Sequence, residues 1–138
     1  MATPPPLPHL DDENRFFWTA GAEGALRFLR CLDCRHYLHP PRPRCPSCRG
    51  ENLTPESVSG RATLASFTVN HQPWVPGMEV PFVVAIVELP EQVGLRLTTN
   101  LVECAPEAVR IGMALEVVFG HYEDVWLPYF RPVAQEGT

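Results

Sequence analysis

The chain has 138 residues, a formal net charge of −5 and a hydrophobic fraction of 45%. That length suits one ordinary domain or a small domain with an appendage, and that apolar content excludes a wholly disordered chain. All eleven basic residues are arginine, which excludes Schiff-base or lysine-base chemistry.

The first residues, Met1-Ala2-Thr3-Pro4-Pro5-Pro6, carry neither a basic leader nor an apolar export segment. The most apolar stretch, 80–89, falls well short of the roughly 18 residues of a membrane span and reads as a strand. The expectation is a cytoplasmic protein with a proline-rich tail and no membrane contact.

Acids at Asp11, Asp12 and Glu13 precede the run Phe16-Phe17-Trp18, and Gly21 follows it. Acids suit the positive end of a helix and glycine its left-handed cap, so a short helix is predicted over 12–22. Successive helical side chains point about 100° apart. Three adjacent rings therefore cannot all enter one small core, and at least one is expected to meet another domain or subunit. The competing arrangement folds the helix over the β-domain and buries all three.

Residues 25–31 roughly alternate apolar and basic, as in a strand that leads into Cys31-Leu32-Asp33-Cys34; after ten residues comes Cys45-Pro46-Ser47-Cys48. Two C-x-x-C turns at this spacing can aim four thiolates at one point and make a tetrahedral zinc cage. With four sulfur ligands no position is left for water, so the metal contributes folding energy and not Lewis-acid chemistry. The competing readings are a disulfide pair, which suits exported chains, and a redox dithiol, which usually stands alone beside a βαβ pattern. From Arg27 to Arg49 six arginines accompany the single acid Asp33. Even after four thiolates gather around zinc, a modest basic face remains, suited to an acidic partner, to coenzyme A phosphates, to nucleic acid or simply to solvent.

Beyond the ribbon, strand patterns occupy 60–70, 81–89, 93–100, 114–119 and 125–130, with a short helical turn at 106–113. Five strands with a helix between the third and fourth is the arrangement of an OB-fold barrel. The predicted class is mainly β. Its parts are a tail and N-terminal helix over 1–25, a rubredoxin-like four-cysteine zinc ribbon over 26–55, and a five-stranded OB-fold over 56–138.

A self-sufficient active site is missing from the pattern. Cys104, the thiol left after the zinc set, ends a strand and reads as a small hydrophobe. The histidines His9, His36, His39, His71 and His121 are scattered, and no nucleophile elbow, P-loop or dinucleotide fingerprint occurs.

The order Phe17-Trp18, Gly24-x-Leu26, Cys-x-x-Cys, His39-Pro40-Pro41-Arg42, Cys-Pro-x-Cys resembles the DUF35 family of zinc-ribbon/OB-fold proteins associated with acyl-CoA enzymes. The likeness continues through Ser59-Gly60-Arg61-Ala62, Val69-Asn70-His71, Pro81-Phe82-Val83-Val84-Ala85, Val87-Glu88-Leu89, Thr98-Thr99-Asn100-Leu101, Ile111-Gly112-Met113 and Phe130-Arg131-Pro132. It departs at Glu91-Gln92-Val93-Gly94-Leu95-Arg96, where relatives tend to place a glycine-containing turn earlier. The resemblance implies an accessory subunit without chemistry of its own, paired in a hetero-oligomer with a thiolase-fold enzyme. Such partners include lipid-transfer-protein-like aldolases that cleave steroid side-chain acyl-CoA thioesters, thiolases, and polyketide acyltransferases.

The expected sites are then Cys31, Cys34, Cys45 and Cys48 for structural zinc. Phe16, Phe17, Trp18, Arg42, Trp126, Tyr129, Phe130 and Arg131 are the candidate contacts to the partner or to a CoA ester. Two other readings compete. A nucleic-acid-binding OB-fold needs a basic groove, yet from Gly60 onward the chain supplies only Arg61, Arg96, Arg110 and Arg131. A free acyl-CoA binder would use the ribbon arginines on the nucleotide phosphates.

Overall fold

A computed structural model describes residues 7–73, 76–77 and 79–133. The prolines at 4–6 of the predicted tail lie outside the described residues.

The N-terminal helix is shorter than the acid and glycine punctuation suggests: α1 spans Arg15–Thr19 and passes into a 3-10 turn, Ala20–Glu23. Asp11 and Asn14 cap each other in the turn that leads into it: Asn14 N–H donates to Asp11 Oδ1 at 2.8 Å and Asp11 N–H to Asn14 Oδ1 at 2.9 Å, a reciprocal pair of the capping-box kind. Gly24, at φ 70°, ends the segment, as only glycine does without cost.

Three strands make the ribbon's sheet. β1 (Leu26–Cys31) lies between β2 (Tyr37–Leu38) and β3 (Leu53–Val58), antiparallel to both. β3 has Pro55 within it and no clean apolar alternation, so it does not read as a strand by itself. Six register pairs with β1, from Leu26 opposite Val58 to Cys31 opposite Leu53, create it.

Five further strands close into a barrel in the order β4-β5-β6-β8-β7: β4 (Arg61–Asn70), β5 (Phe82–Glu88), β6 (Arg96–Leu101), β7 (Ala114–Tyr122) and β8 (Val125–Pro132). The helical turn expected over 106–113 contracts to one 3-10 turn, Pro106–Ala108. Alternate positions point inward, and Leu64, Val83, Ala85, Val87, Leu97, Leu101, Leu115 and Phe130 fill the barrel. One hydrophobic cluster joins these side chains to Phe17, Leu26, Phe28 and Tyr37, so ribbon sheet, helix and barrel share a core.

Two contacts set how these parts meet. Gly21 lies so close to the β7–β8 hairpin that a Cβ there would sit 2.5 Å from Trp126 Cβ and 2.7 Å from a Phe119 ring carbon. On the other side, Gln92 in the β5–β6 loop accepts from Tyr37 N–H at 2.9 Å and donates to Tyr37 C=O at 3.0 Å. Its amide thus serves β2 as a strand neighbour would. Glu91 accepts from Ser59 N–H at 2.7 Å between β3 and β4. The loop where the sequence departs from the family pattern is therefore the clasp between barrel and ribbon.

Candidate metal centre and the faces around it

The two cysteine pairs fold into matching knuckles. In each, the amide after the second cysteine reaches back to the carbonyl of the first: Arg35 N–H to Cys31 O at 2.9 Å and Arg49 N–H to Cys45 O at 2.8 Å. Each arginine has a positive φ, 69° at Arg35 and 65° at Arg49, in the left-handed region that costs a side-chain-bearing residue about 1 kcal/mol. Amides also point at sulfur: Cys34 N–H to Cys31 Sγ at 3.5 Å, Ser47 N–H to Cys45 Sγ at 3.4 Å and Gly50 N–H to Cys48 Sγ at 3.4 Å.

The four Sγ atoms lie within 4.8 Å of one another. Cys31 and Cys48 are 3.5 Å apart, Cys34 and Cys45 3.6 Å. Zinc–sulfur bonds of about 2.3 Å in a tetrahedron put sulfurs about 3.8 Å apart, so the cage matches that ion in size and donor chemistry.

The surroundings favour the thiolate at Cys31 and Cys45 and oppose it at Cys48. The Cys34 amide leads the effects that hold Cys31 below the ordinary thiol range. Burial raises Cys45, but the amides of Cys48 and Ser47 outweigh it and bring it to about 7. At Cys48 the Gly50 amide favours the thiolate, yet the surrounding sulfurs push it up to about 12. Like charges so close oppose full ionisation, and a divalent cation removes that opposition.

The structure separates the other predicted contacts into two groups. Phe17 is 3% exposed and Phe130 fully buried. Neither offers surface to a partner, because each ring is used up by this chain's own core. Phe17 stacks 5.9 Å from Phe28 and 4.9 Å from His39. Arg131 is committed within the chain as well, bonded to Glu103 at 3.4 Å and Glu116 at 3.3 Å; those carboxylates raise its pKa.

Phe16, Trp18, Trp126 and Tyr129 are half-buried, and Arg42 is exposed with no ion pair among the described residues. The helix therefore folds over the barrel yet leaves two of its three rings partly open. Trp18 meets Phe17 edge-on at 4.8 Å. Trp126 stacks on His121 at 3.8 Å. Tyr129 is raised by burial and by its bond to Tyr122, and both rings lie over Gly120, where a Cβ would come within 2.9 Å of each.

Sequence reasoning missed His39. Its ring is wedged between Phe17 and Phe28, 4.9 and 4.8 Å away, and burial lowers its pKa to about 4. The His39-Pro40-Pro41-Arg42 motif was the available signal, but nothing in it says which neighbours the ring meets.

The barrel face that OB-folds commonly use for oligonucleotides, the outer side of its second and third strands, carries Phe82, Val84 and Ile86 on β5. Opposite them on β6 stand Thr98 and Asn100. Its one cation, Arg96, bonds Glu88 at 2.9 Å. One partly buried aromatic, Phe82, among aliphatic, hydroxyl and amide groups around a neutralised charge does not make a phosphate-tracking groove.

Two family models match the chain: "ChsH2, rubredoxin-like zinc ribbon domain" over residues 18–54 and "ChsH2, C-terminal OB-fold domain" over 56–120. A solved chain titled "Ltp2-ChsH2(DUF35) aldolase" superposes with a TM-score of 0.83 at 37% identity, covering 91% of this chain and 98% of that one. The chain belongs to the DUF35 family. Among curated relatives, the benzoylsuccinyl-CoA thiolase subunit BbsA of Thauera aromatica is 33% identical over 76% of this chain and 72% of its own. A probable enoyl-CoA hydratase alpha subunit of Thermomonospora curvata is 36% identical over 95% of this chain, which spans 41% of that subunit's length. The family match fits the four-sulfur cage and the closed five-stranded barrel. No helix among the described residues is long and apolar enough to cross a membrane.

Proposed function

We propose that this chain is an accessory subunit that binds a thiolase-fold enzyme acting on acyl-CoA thioesters, foremost a lipid-transfer-protein-like aldolase of steroid side-chain degradation. In such a complex the retro-aldol carbon–carbon cleavage takes place on the partner. The similarity to the DUF35 chain of an aldolase, over nearly all of that chain, carries this reading. It is supported by what the side chains do: among the described residues the one cluster suited to a metal is the four-sulfur set, which has no open position for substrate.

In this reading the ribbon over 26–55 and the barrel over 56–138 divide the work. Cys31, Cys34, Cys45 and Cys48 hold structural zinc, and the zinc keeps Arg42 and the knuckles in place. Phe16, Trp18, Trp126 and Tyr129 supply partner contacts, and the complex is a cytoplasmic hetero-oligomer. Zinc supplies charge neutralisation and fold stability when bound, and takes no part in the reaction.

The experiment is co-purification of the chain with a lipid-transfer-protein-like thiolase homologue encoded beside it, followed by assay of acyl-CoA aldol cleavage with and without this subunit. Co-elution with a gain of activity is expected. Separate elution and unchanged partner activity would overturn the proposal. A second reading, a zinc-ribbon/OB module serving an enoyl-CoA hydratase, rests on the 36% identity to the hydratase alpha subunit. Hydration of an enoyl-CoA by the purified complex, without cleavage, would favour it.

A further inference from the structure

The barrel closes along one seam through a single register pair. β6 and β8 run parallel, but their register contains a single pair, Leu101 opposite Phe130. Val102 N–H donates to Phe130 O at 2.8 Å, and there the pairing stops. The cause is Pro128: it has no N–H to continue the ladder, and its carbonyl accepts instead from the Thr99 hydroxyl at 2.8 Å. Among the described residues, 96–98 of β6 therefore have β5 on one side and no strand on the other.

Strand alternation shows which groups face that vacant side. Leu95 O accepts from Leu89 N–H at 2.9 Å, toward β5, and Val102 N–H bonds away from it, toward β8. In an antiparallel pair such orientations alternate residue by residue. The main-chain N–H and C=O of Arg96 and Thr98 thus point away from β5, as an unpaired strand edge does.

That edge lines a cavity of about 410 Å³, which is walled by Asn14 and Trp18 of the helical segment and by Pro40 and Pro41 of the ribbon. Past His39 and Arg96 the cavity adjoins a second of about 320 Å³, lined by Arg42, which has no ion pair among the described residues. Donors and acceptors at main-chain spacing, beside an aromatic and two prolines, suit an extended peptide better than a helix. The cation beyond calls for a carboxylate on that peptide.

We propose that the open edge of β6 receives an extended, acidic segment of the partner enzyme, which pairs with Arg96 and Thr98 as an added strand and reaches Arg42 with a carboxylate. This assignment rests on the accessory-subunit reading and specifies where the partner docks. Trp18 then serves as a wall for the incoming segment's side chains.

Amide exchange of the full-length zinc-loaded chain, ¹⁵N-labelled, decides the matter when compared with and without the purified thiolase-fold partner. The Arg96 and Thr98 amides are expected to exchange freely in the chain alone and at least about ten-fold more slowly in the complex. Arg42→Glu is expected to weaken the complex about ten-fold with zinc content and melting temperature unchanged. Thr98→Pro removes an outward N–H and should weaken it similarly, provided its melt matches the parent. A complex that forms with both amides unchanged overturns the edge-pairing proposal alone, whereas absence of any complex overturns the accessory-subunit reading with it. Equal protection by free coenzyme A, or concentration-dependent protection in the chain alone, also overturns it, in favour of a small anion or of a second copy.

Discussion

The knuckles and the barrel lie in one short chain, yet opposite means hold them in shape. Inside the barrel, Val83, Ala85, Val87, Leu97, Leu115 and Phe130 are almost entirely removed from water. Burial of that kind yields about 25 cal/mol per Å² of apolar surface. In the knuckles the residues between and beside the cysteines, including Leu32, Asp33, Pro46 and Ser47, are exposed, and only Cys31 and Cys45 are buried. A loop with so little to bury cannot offset its own ordering entropy. Four sulfurs and an ion do what side-chain packing does elsewhere. The contrast teaches that zinc belongs to one region's stability and leaves the other's to the core.

The largest effect expected from that difference follows metal removal. Chelation, or Cys45→Ser, should disorder the knuckles at 31–36 and 40–50 while amides of Ala85 and Val87 stay protected, since metal binding in such sites is worth on the order of 10 kcal/mol of local folding. Amide spectra with and without chelator read this directly; concerted loss of barrel signals would show that the two regions share one fate.

Next in size is the converse, a cavity in the barrel. Phe130→Ala removes a fully buried ring and should cost about 3–5 kcal/mol by chemical denaturation. Zinc stoichiometry of the folded fraction should stay at one, because no ligand moves.

His39 tests the seam between the regions. Its folded pKa is about 4 against an ordinary 6.5, so between those values the unfolded chain binds more protons than the folded one. Stability is therefore complete above about pH 6.5 and falls as pH drops toward 4, by at most about 3 kcal/mol. His39→Phe should remove that part of the slope. Zinc release contributes to parent and variant alike, so their difference isolates the histidine; identical pH profiles would mean that the ring is not held neutral by the seam.

The smallest effect sharpens the same comparison. Gln92→Ala deletes both bonds to the Tyr37 backbone and should cost about 1–3 kcal/mol. Because the clasp joins ribbon to barrel without belonging to either core, both regions should keep their folds while the exchange of β2 amides rises.

The metal cage was legible in the sequence because C-x-x-C places two sulfurs on one tight turn whatever the rest of the chain does. The five barrel strands were legible too: alternation along each one reports a buried face directly. β3 was not, since Pro55 and its mixed polarity break the pattern and only six pairings with β1 make it a strand. The aromatic run shows a sharper limit. Its 100° stepping says that Phe16, Phe17 and Trp18 diverge, but not that Phe17 would be the one enclosed, because that depends on where Phe28 and His39 arrive. Phe130 and Arg131 likewise read as surface groups by type, and the barrel's curvature and two glutamates took them up.

Local chemistry along the chain determined the zinc ligands, the mainly β class, the OB order and the family, all of which depend on spacings of a few residues. Tertiary structure decided which aromatic rings remain available, that Glu91 and Gln92 lock barrel to ribbon, and that Pro128 leaves an edge of β6 open. Those outcomes join residues dozens of positions apart. Their physical cause is the meeting of two surfaces, and no periodicity within either segment records it.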